Sequence, residues 1–200
     1  MCEEAVEYGF ASVCIPPCFV PLAGQLLYGS EVAVCTVVGF PLGNQTTETK
    51  VFETRQAVAA GAAEIDMVIN LGSVRDADYA AVGHEVRRVV AAAEYAVVKV
   101  IIECCLLGDA EKRRLVEVVV EGGAGYVKTS TGFASSGATV EDVRLLAECS
   151  VGRIRVKAAG GVRDWKRCKD MLAAGADRIG TSAGVAIMRE WQEDAGLRCR

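Results

Sequence analysis

The chain has 200 residues, 52% of them hydrophobic but only 6% aromatic, and a formal net charge of −4. That length suits one domain with a sizeable aliphatic core, and a mildly acidic chain without a basic stripe has no electrostatic footing on nucleic acid. There is no signal peptide and no apolar run long enough to span a membrane, so a cytoplasmic protein with reduced thiols is expected.

In chain order, residues 1–8 read as the end of a helix closed by Gly9, and 12–15 as a strand stopped by Pro16 and Pro17. A short helix over 19–28 precedes a strand at 32–38 and the loop Gly39-Phe40-Pro41-Leu42-Gly43. Thr46 or Thr47 caps a helix running to Ala60, and 64–70 is a third strand. A long amphipathic helix covers 76–95, with His84 solvated and Glu85, Arg87 and Arg88 on an exposed face. The fourth strand is 97–105, and Asp109 caps a helix ending near Glu121. The fifth strand is 126–130, followed by a helix from Thr139 to about Cys149 with Glu141 and Asp142 in its first turn, where acids suit the helix dipole. A strand at 154–159, a helix at 165–174, a strand at 178–181, a helix from about 183 to 191 and a polar tail complete the chain. Such alternation gives a parallel sheet covered by helices.

An internal repeat sharpens this. Gly9, Gly61, Gly123, Gly152 and Gly175 each precede a strand, as left-handed helix caps do. Four positions on stand the aliphatic residues Val13, Ile65, Val127, Val156 and Ile179; five positions on stand Cys14, Asp66, Lys128, Lys157 and Gly180. Alternate strand residues face opposite sides, so if the aliphatic set meets the helices, the second set converges on a barrel interior. The expected fold is a single (β/α)8 TIM barrel over residues 1–200, with seven of its eight strands identifiable. A first strand is missing at the N-terminus or replaced by something not visible.

Lys128 and Lys157 are candidate catalytic residues: a lysine is almost never buried unless paired, and one whose pKa is lowered to ~7–8 by burial and a second cation attacks carbonyls to form a Schiff base. Asp66 is either a satisfied structural acid or a proton shuttle, and the lysine pair favours the shuttle. Gly160, Gly161 and Arg163 after the sixth strand, and Gly180, Thr181 and Ser182 after the seventh, sit where phosphate-binding barrels present backbone N–H groups to an anion, with Gly132 a further rim residue. Glu103 is a candidate partner of a lysine. Nine cysteines, without a C-x-x-C pair and with Cys14, Cys35, Cys104 and Cys105 in apolar runs, read as small core hydrophobes; with His84 the single histidine, no metal site is expected.

Gly9-Phe10-Ala11-Ser12-Val13-Cys14, Val34 through Pro41, Glu64 through Asn70, Val98 through Glu103, Tyr126 through Phe133 and Val156 through Arg163 together resemble the deoxyribose-phosphate aldolases, class I aldolases with a (β/α)8 barrel. The resemblance spans essentially the whole chain. It implies reversible cleavage of 2-deoxy-D-ribose 5-phosphate, between its second and third carbons, to D-glyceraldehyde 3-phosphate and acetaldehyde. It gives Lys128 the Schiff-base role, Lys157 that of the second lysine that perturbs it, and Asp66 that of a proton carrier acting through an ordered water. The phosphate loops match at Gly160, Gly161 and Gly180 through Ser182. The resemblance implies no metal or organic cofactor, a small phosphosugar and aldehyde as partners, and a possible homodimer. Three departures are visible: the family's first strand has no counterpart before Met1, Ile15-Pro16-Pro17 replaces Val-Asn-Pro, and Ala183 removes one hydroxyl of the phosphate loop. The first keeps an inactive or marginally folded barrel fragment open as an alternative; another phosphosugar isomerase or synthase using lysine and aspartate as acid and base is a third reading.

Overall fold

Short aliphatic runs separated by capped helices leave the backbone one economical solution, a curled parallel sheet with helices outside. The computed structural model describes residues 1–196. Its strands are β1 (Ser12–Ile15), β2 (Ala33–Val38), β3 (Glu64–Val68), β4 (Val97–Ile101), β5 (Tyr126–Lys128), β6 (Arg155–Ala159) and β7 (Arg178–Gly180), all parallel and paired in sequence order. The helices are α1 (Cys2–Glu7), α2 (Val20–Leu26), α3 (Thr47–Ala59), α4 (Leu71–Arg75), α5 (Tyr79–Ala92), α6 (Asp109–Glu121), α7 (Val140–Ser150), α8 (Trp165–Ala173) and α9 (Gly184–Asp194). Among the described residues β1 pairs only with β2 and β7 only with β6. The sheet nonetheless curls enough for Arg178 Nη1 on β7 to reach Ser12 Oγ on β1 at 3.4 Å. These are the seven strands identified from the alternation, forming a curled, unclosed part of the expected (β/α)8 barrel.

The glycine repeat is structural. Gly9, Gly61, Gly123, Gly152 and Gly175 all have φ between +64° and +107°, the left-handed region in which a side chain is strained. Ile65, Val127 and Val156, one residue before the three ionisable positions, are buried and form part of one core with Val86, Val119 and Leu146 from the helices. At ~1.5–3 kcal/mol for each fully buried aliphatic side chain, this outer layer stabilises a sheet whose inner face carries charge.

Several boundaries differ from expectation, each for a local reason. The helix expected over 76–95 is one helix, shortened to α5, because Ala77 takes φ +56° and Asp78 then caps α5 by accepting from Ala81 N; the short α4 before it is an addition to the expected elements. Asp109 is the first residue of α6 rather than its cap; Gly108 caps it, donating its N–H to Glu111 Oε2 at 2.6 Å. The fourth strand stops at Ile101, and Glu103 with φ +55° turns the chain into a 3-10 turn at Cys104–Leu106. Glu85, read from sequence as exposed, is buried, because α5 turns it onto Lys50 of α3. His84 is exposed as expected. The expected polar tail beyond residue 196 lies outside the described residues.

Candidate active site

The inner face of the sheet is layered by strand periodicity. Two residues apart, five of the seven strands contribute one group to a lower layer and one to an upper: Ser12 and Cys14, Glu64 and Asp66, Tyr126 and Lys128, Arg155 and Lys157, Arg178 and Gly180. In the lower layer, Arg155 and Arg178 lie over the Tyr126 ring at 4.2 and 5.7 Å, and Arg178 Nη1 meets Glu64 Oε1 at 3.4 Å. This is a packed polar floor, and it fixes the height of the layer above.

That upper layer converges on Asp66, which is fully buried. Its Oδ2 accepts from Lys128 Nζ at 2.7 Å and from Lys157 Nζ at 2.6 Å. Lys128 and Lys157 are register partners on β5 and β6, so their side chains run side by side to the same oxygen. The other oxygen, Oδ1, accepts from Lys99 Nζ at 3.0 Å, and the Cys35 Sγ lies 3.2 Å away. Lys99, the register partner of Asp66 on β4, also approaches Glu64 Oε2 at 2.8 Å and so ties the site to the floor.

Burial alone would raise the Asp66 carboxyl, but Lys128, Lys157 and Lys99 outweigh it and hold the group well below the usual carboxylate range. Asp66 is therefore ionised throughout the neutral range. Glu64 follows the same logic: burial pushes it up, Lys99 pulls it down further, and the net shift is downward. Lys99 is raised, because the charges of Asp66, Cys35 and Glu64 overcome its desolvation. It is held as a permanent cation.

Lys99 is the residue that sequence reasoning missed. It stands five positions after a left-handed residue like the others, but that residue is Glu94, with φ +51°, in place of a glycine. A search for the glycine could not find it; an alignment of strand starts could have. Glu103 is not a lysine partner: its carboxylate accepts from Thr131, from N at 3.2 Å and from the hydroxyl, and so fastens the loop that follows β5.

A cavity of 830 Å³ opens beside this cluster between β1 and β7, lined by Cys14, Lys157, Arg178, Gly180, Thr181 and Ser182 among others. The Thr181 hydroxyl donates to Val162 O at 2.6 Å and accepts from Ala183 N at 2.9 Å, which fixes the turn into α9. Gly132, Gly160, Gly161 and Arg163 are outside that lining. Gly132 and Gly160 instead meet at the junction of the loops after β5 and β6, where a Cβ on nearby Gly137 would lie 2.2 Å from Gly160 O. Ser130, next to that junction, is fully buried and its hydroxyl has no partner among the described residues. A buried orphan hydroxyl calls for a water or ligand atom. Arg163 is exposed on the loop after β6.

Cys14 also departs from expectation. It is not a core hydrophobe but is exposed to the cavity, whereas Cys35 and Cys104 are buried. Ligand atoms of Cys14, Cys35 and Asp66 lie within 4.8 Å of one another, a proximity invisible to spacing rules. Three ammonium groups already occupy the Asp66 oxygens, however, so the local field opposes a further cation.

Residues 1–193 match the model of the DeoC/LacD family aldolases. The chain is 56% identical to the deoxyribose-phosphate aldolase 1 of Bacillus licheniformis, covering 94% of this chain and 85% of that one. It is 57% identical to the deoxyribose-phosphate aldolase of Syntrophotalea carbinolica, covering 96% and 87%. Among solved structures, the aldolase QR15 superposes with a TM-score of 0.93 at 42% identity, over 98% of this chain and 88% of that one. The tetrameric deoxyribose phosphate aldolase of Aeropyrum pernix gives 0.88 at 36%, over 96% and 81%.

Proposed function

The chain belongs to the DeoC/LacD family of aldolases, and on that footing we propose that it is a lyase that cleaves 2-deoxy-D-ribose 5-phosphate reversibly to D-glyceraldehyde 3-phosphate and acetaldehyde, with Lys128 as the Schiff-base nucleophile. The observation that carries this reading is one carboxylate oxygen, Asp66 Oδ2, shared by two lysine amines beside an open cavity. The relatives named for this activity support the substrate.

Lys128 as free amine adds to the C1 aldehyde of the open-chain sugar, and loss of water gives an iminium. The C3 hydroxyl gives up its proton, the C2–C3 bond breaks and its electrons pass into the iminium. That step releases D-glyceraldehyde 3-phosphate and leaves a two-carbon enamine on Lys128. Protonation of the enamine at its terminal carbon and hydrolysis release acetaldehyde and restore the amine. Asp66, ionised before the step, is the proton acceptor, reached through a water because it is fully buried behind the lysines. Lys157, on the same carboxylate oxygen, passes protons between Asp66 and the cavity. Lys99 holds Asp66 in place.

Gly180 at the end of β7 and Ser182 in the turn before α9, with Gly132, Gly160, Gly161 and Arg163 on the adjoining loops, receive the phosphate. The unpartnered Ser130 hydroxyl supports a polar ligand at that rim. The chain acts as one barrel domain, and a cytoplasmic location is proposed with it; no helix among the described residues is long and apolar enough to cross a membrane. The finer proposal of a homodimer has its support in the exposed Phe19, Leu22 and Leu26 beside β1, and light scattering would read it out.

Turnover is tested by incubating the protein with 2-deoxy-D-ribose 5-phosphate and assaying both products. Equimolar acetaldehyde and glyceraldehyde 3-phosphate are expected from the native chain and none from Lys128→Leu. Isomerised sugar without acetaldehyde would overturn the assignment.

A further inference from the structure

Two thiols in this site are used by no step above. Cys14 on β1 and Cys35 on β2 are register partners on adjacent strands, and their Sγ atoms lie 3.5 Å apart. Neighbouring strands run about 4.8 Å apart, inside the Cα window of about 4.4–6.8 Å that a disulfide requires. The sulfurs must close to about 2.05 Å, a movement that side-chain rotation and a small shift of β1 can supply. β1 pairs on one side only among the described residues, so it is the strand freest to adjust.

The two thiols are unequal in a useful way. Cys14 lines the 830 Å³ cavity and is open to small reagents, while Cys35 is fully buried behind it. Contact with Cys35 lowers the Cys14 thiol to about 7; burial and Asp66 oppose this, and Lys157 and Lys128 assist. The same contact and burial raise Cys35. An accessible thiolate backed by a buried thiol is the pairing of an attacking and a resolving cysteine.

We propose that Cys14 and Cys35 form an oxidation site, at which a small hydroperoxide converts the two thiols into a disulfide across β1 and β2 and so closes down the adjoining lysine–aspartate centre. In the first step the Cys14 thiolate attacks one peroxide oxygen. An S–O bond forms, the O–O bond breaks, and the departing oxygen leaves as water or alcohol once protonated. In the second step the Cys35 sulfur attacks the Cys14 sulfenic acid. The S–S bond forms, the S–O bond breaks, and the hydroxide leaves as water with the Cys35 proton. The two thiols together give up two electrons to one peroxide.

The link acts on the centre through Cys35. Its sulfur stands 3.2 Å from Asp66 Oδ1 and 3.5 Å from Lys99 Nζ. Oxidation removes the S–H donor from Asp66 and ties the cavity wall to the strand beside it. Losing one hydrogen bond to a charged group at a reacting site corresponds to a loss of turnover of about tenfold. Formation of the link is independent of the function proposed above; its effect on turnover rests on that proposal.

The experiment treats reduced protein with a slight excess of hydrogen peroxide and digests it without reduction for mass spectrometry, with turnover followed in parallel. The expected result is a peptide pair joined through Cys14 and Cys35, turnover reduced about tenfold, and recovery with dithiothreitol. Cys35→Ser, which keeps a donor beside Cys14, is expected to yield no such pair and to leave a Cys14 sulfenic acid that dimedone traps. Cys14→Ser is expected to keep, after peroxide, most of its own untreated turnover. A link running instead through exposed Cys18, a Cys14–Cys35 link without loss of turnover, or equal peroxide sensitivity in Cys14→Ser would each overturn the proposal. Should the protein show no aldolase turnover at all, the mapped link still decides the chemical half.

Discussion

Two lysines of this chain are both buried and do opposite things. Lys50 on α3 is fully buried, and its three N–H bonds are all spoken for: Gly43 O at 2.7 Å, Val68 O at 2.8 Å and Glu85 Oε1 at 2.7 Å. An ammonium has three donors, so nothing is left over for a substrate. Glu85 is completed by accepting from Asn70 N at 3.1 Å. Lys128 is 5% exposed and has one hydrogen-bond acceptor among the described residues, an Asp66 oxygen it shares with Lys157. The first site pairs one charge with one charge and two carbonyls. The second sets three ammonium groups around one carboxylate beside a cavity. Burial of a lysine therefore does not mark chemistry; unspent donor capacity and an imbalance of charge do.

The largest break in this contrast is Asp66→Asn. It removes the acceptor common to three lysines, and turnover is expected to fall by roughly 10²–10⁴-fold, the usual worth of a positioned acid–base group. The fall should lie in kcat more than in KM, since Asp66 is buried behind the lysines and is not among the residues proposed to hold the phosphate. Full activity in Asp66→Asn would leave the cluster a structural ion network like the Lys50 site.

The counterpart is Lys50→Met. It strands a buried Glu85 and is expected to cost about 3–5 kcal/mol of stability in denaturant titration, while turnover per folded molecule stays within a few-fold of the native value. Replacing both partners, Lys50→Met with Glu85→Leu, should recover most of that loss, because two desolvated charges are exchanged for packed apolar groups. A double variant as unstable as the single one would show that the backbone carbonyls of Gly43 and Val68, not the ion pair, need the ammonium.

The smallest effect is a matter of pH. The folded-state pKa of Asp66 is depressed, so the folded protein binds fewer protons than the unfolded chain below the unfolded value of about 3.9. Its contribution to stability is complete above that value and is lost as pH falls through the folded one. Glu85 is raised, chiefly by burial, against the pull of Lys50. It takes up its proton at a higher pH when folded, so between the unfolded value near 4.3 and its folded value it favours the fold as pH drops. The two sites slope in opposite directions. Stability measured against pH is expected to show a shallower acid loss in Asp66→Asn than in the native chain, and a steeper one in Lys50→Met with Glu85→Leu.

The same contrast explains what the sequence made legible. Lys128, Lys157 and Asp66 were visible because each sits at a fixed distance after a left-handed glycine, on a strand whose other face is aliphatic. That pattern is written in consecutive residues. Lys99 escaped because Glu94 takes the left-handed turn without being glycine. The Lys50–Glu85 pair escaped because it joins two helices 35 residues apart, and its charged neighbours Arg87 and Arg88 made Glu85 look like part of an exposed face. Cys14 and Cys35 each looked like core residues; only the register of β1 on β2 brings their sulfurs together. The strand order was readable, whereas the fastening of loops, such as Glu103 onto Thr131, depends on side-chain reach that no spacing encodes.

The most direct test of the central claim is reductive trapping. Native protein, Lys128→Leu and Lys50→Met are each incubated with acetaldehyde and sodium borohydride, then digested and mapped by mass spectrometry. A single ethyl group fixed on Lys128 in the native chain and in folded Lys50→Met, and none in Lys128→Leu, is the predicted result. An ethyl group on Lys157 or Lys99 in place of Lys128, or no adduct on folded native protein, would contradict it.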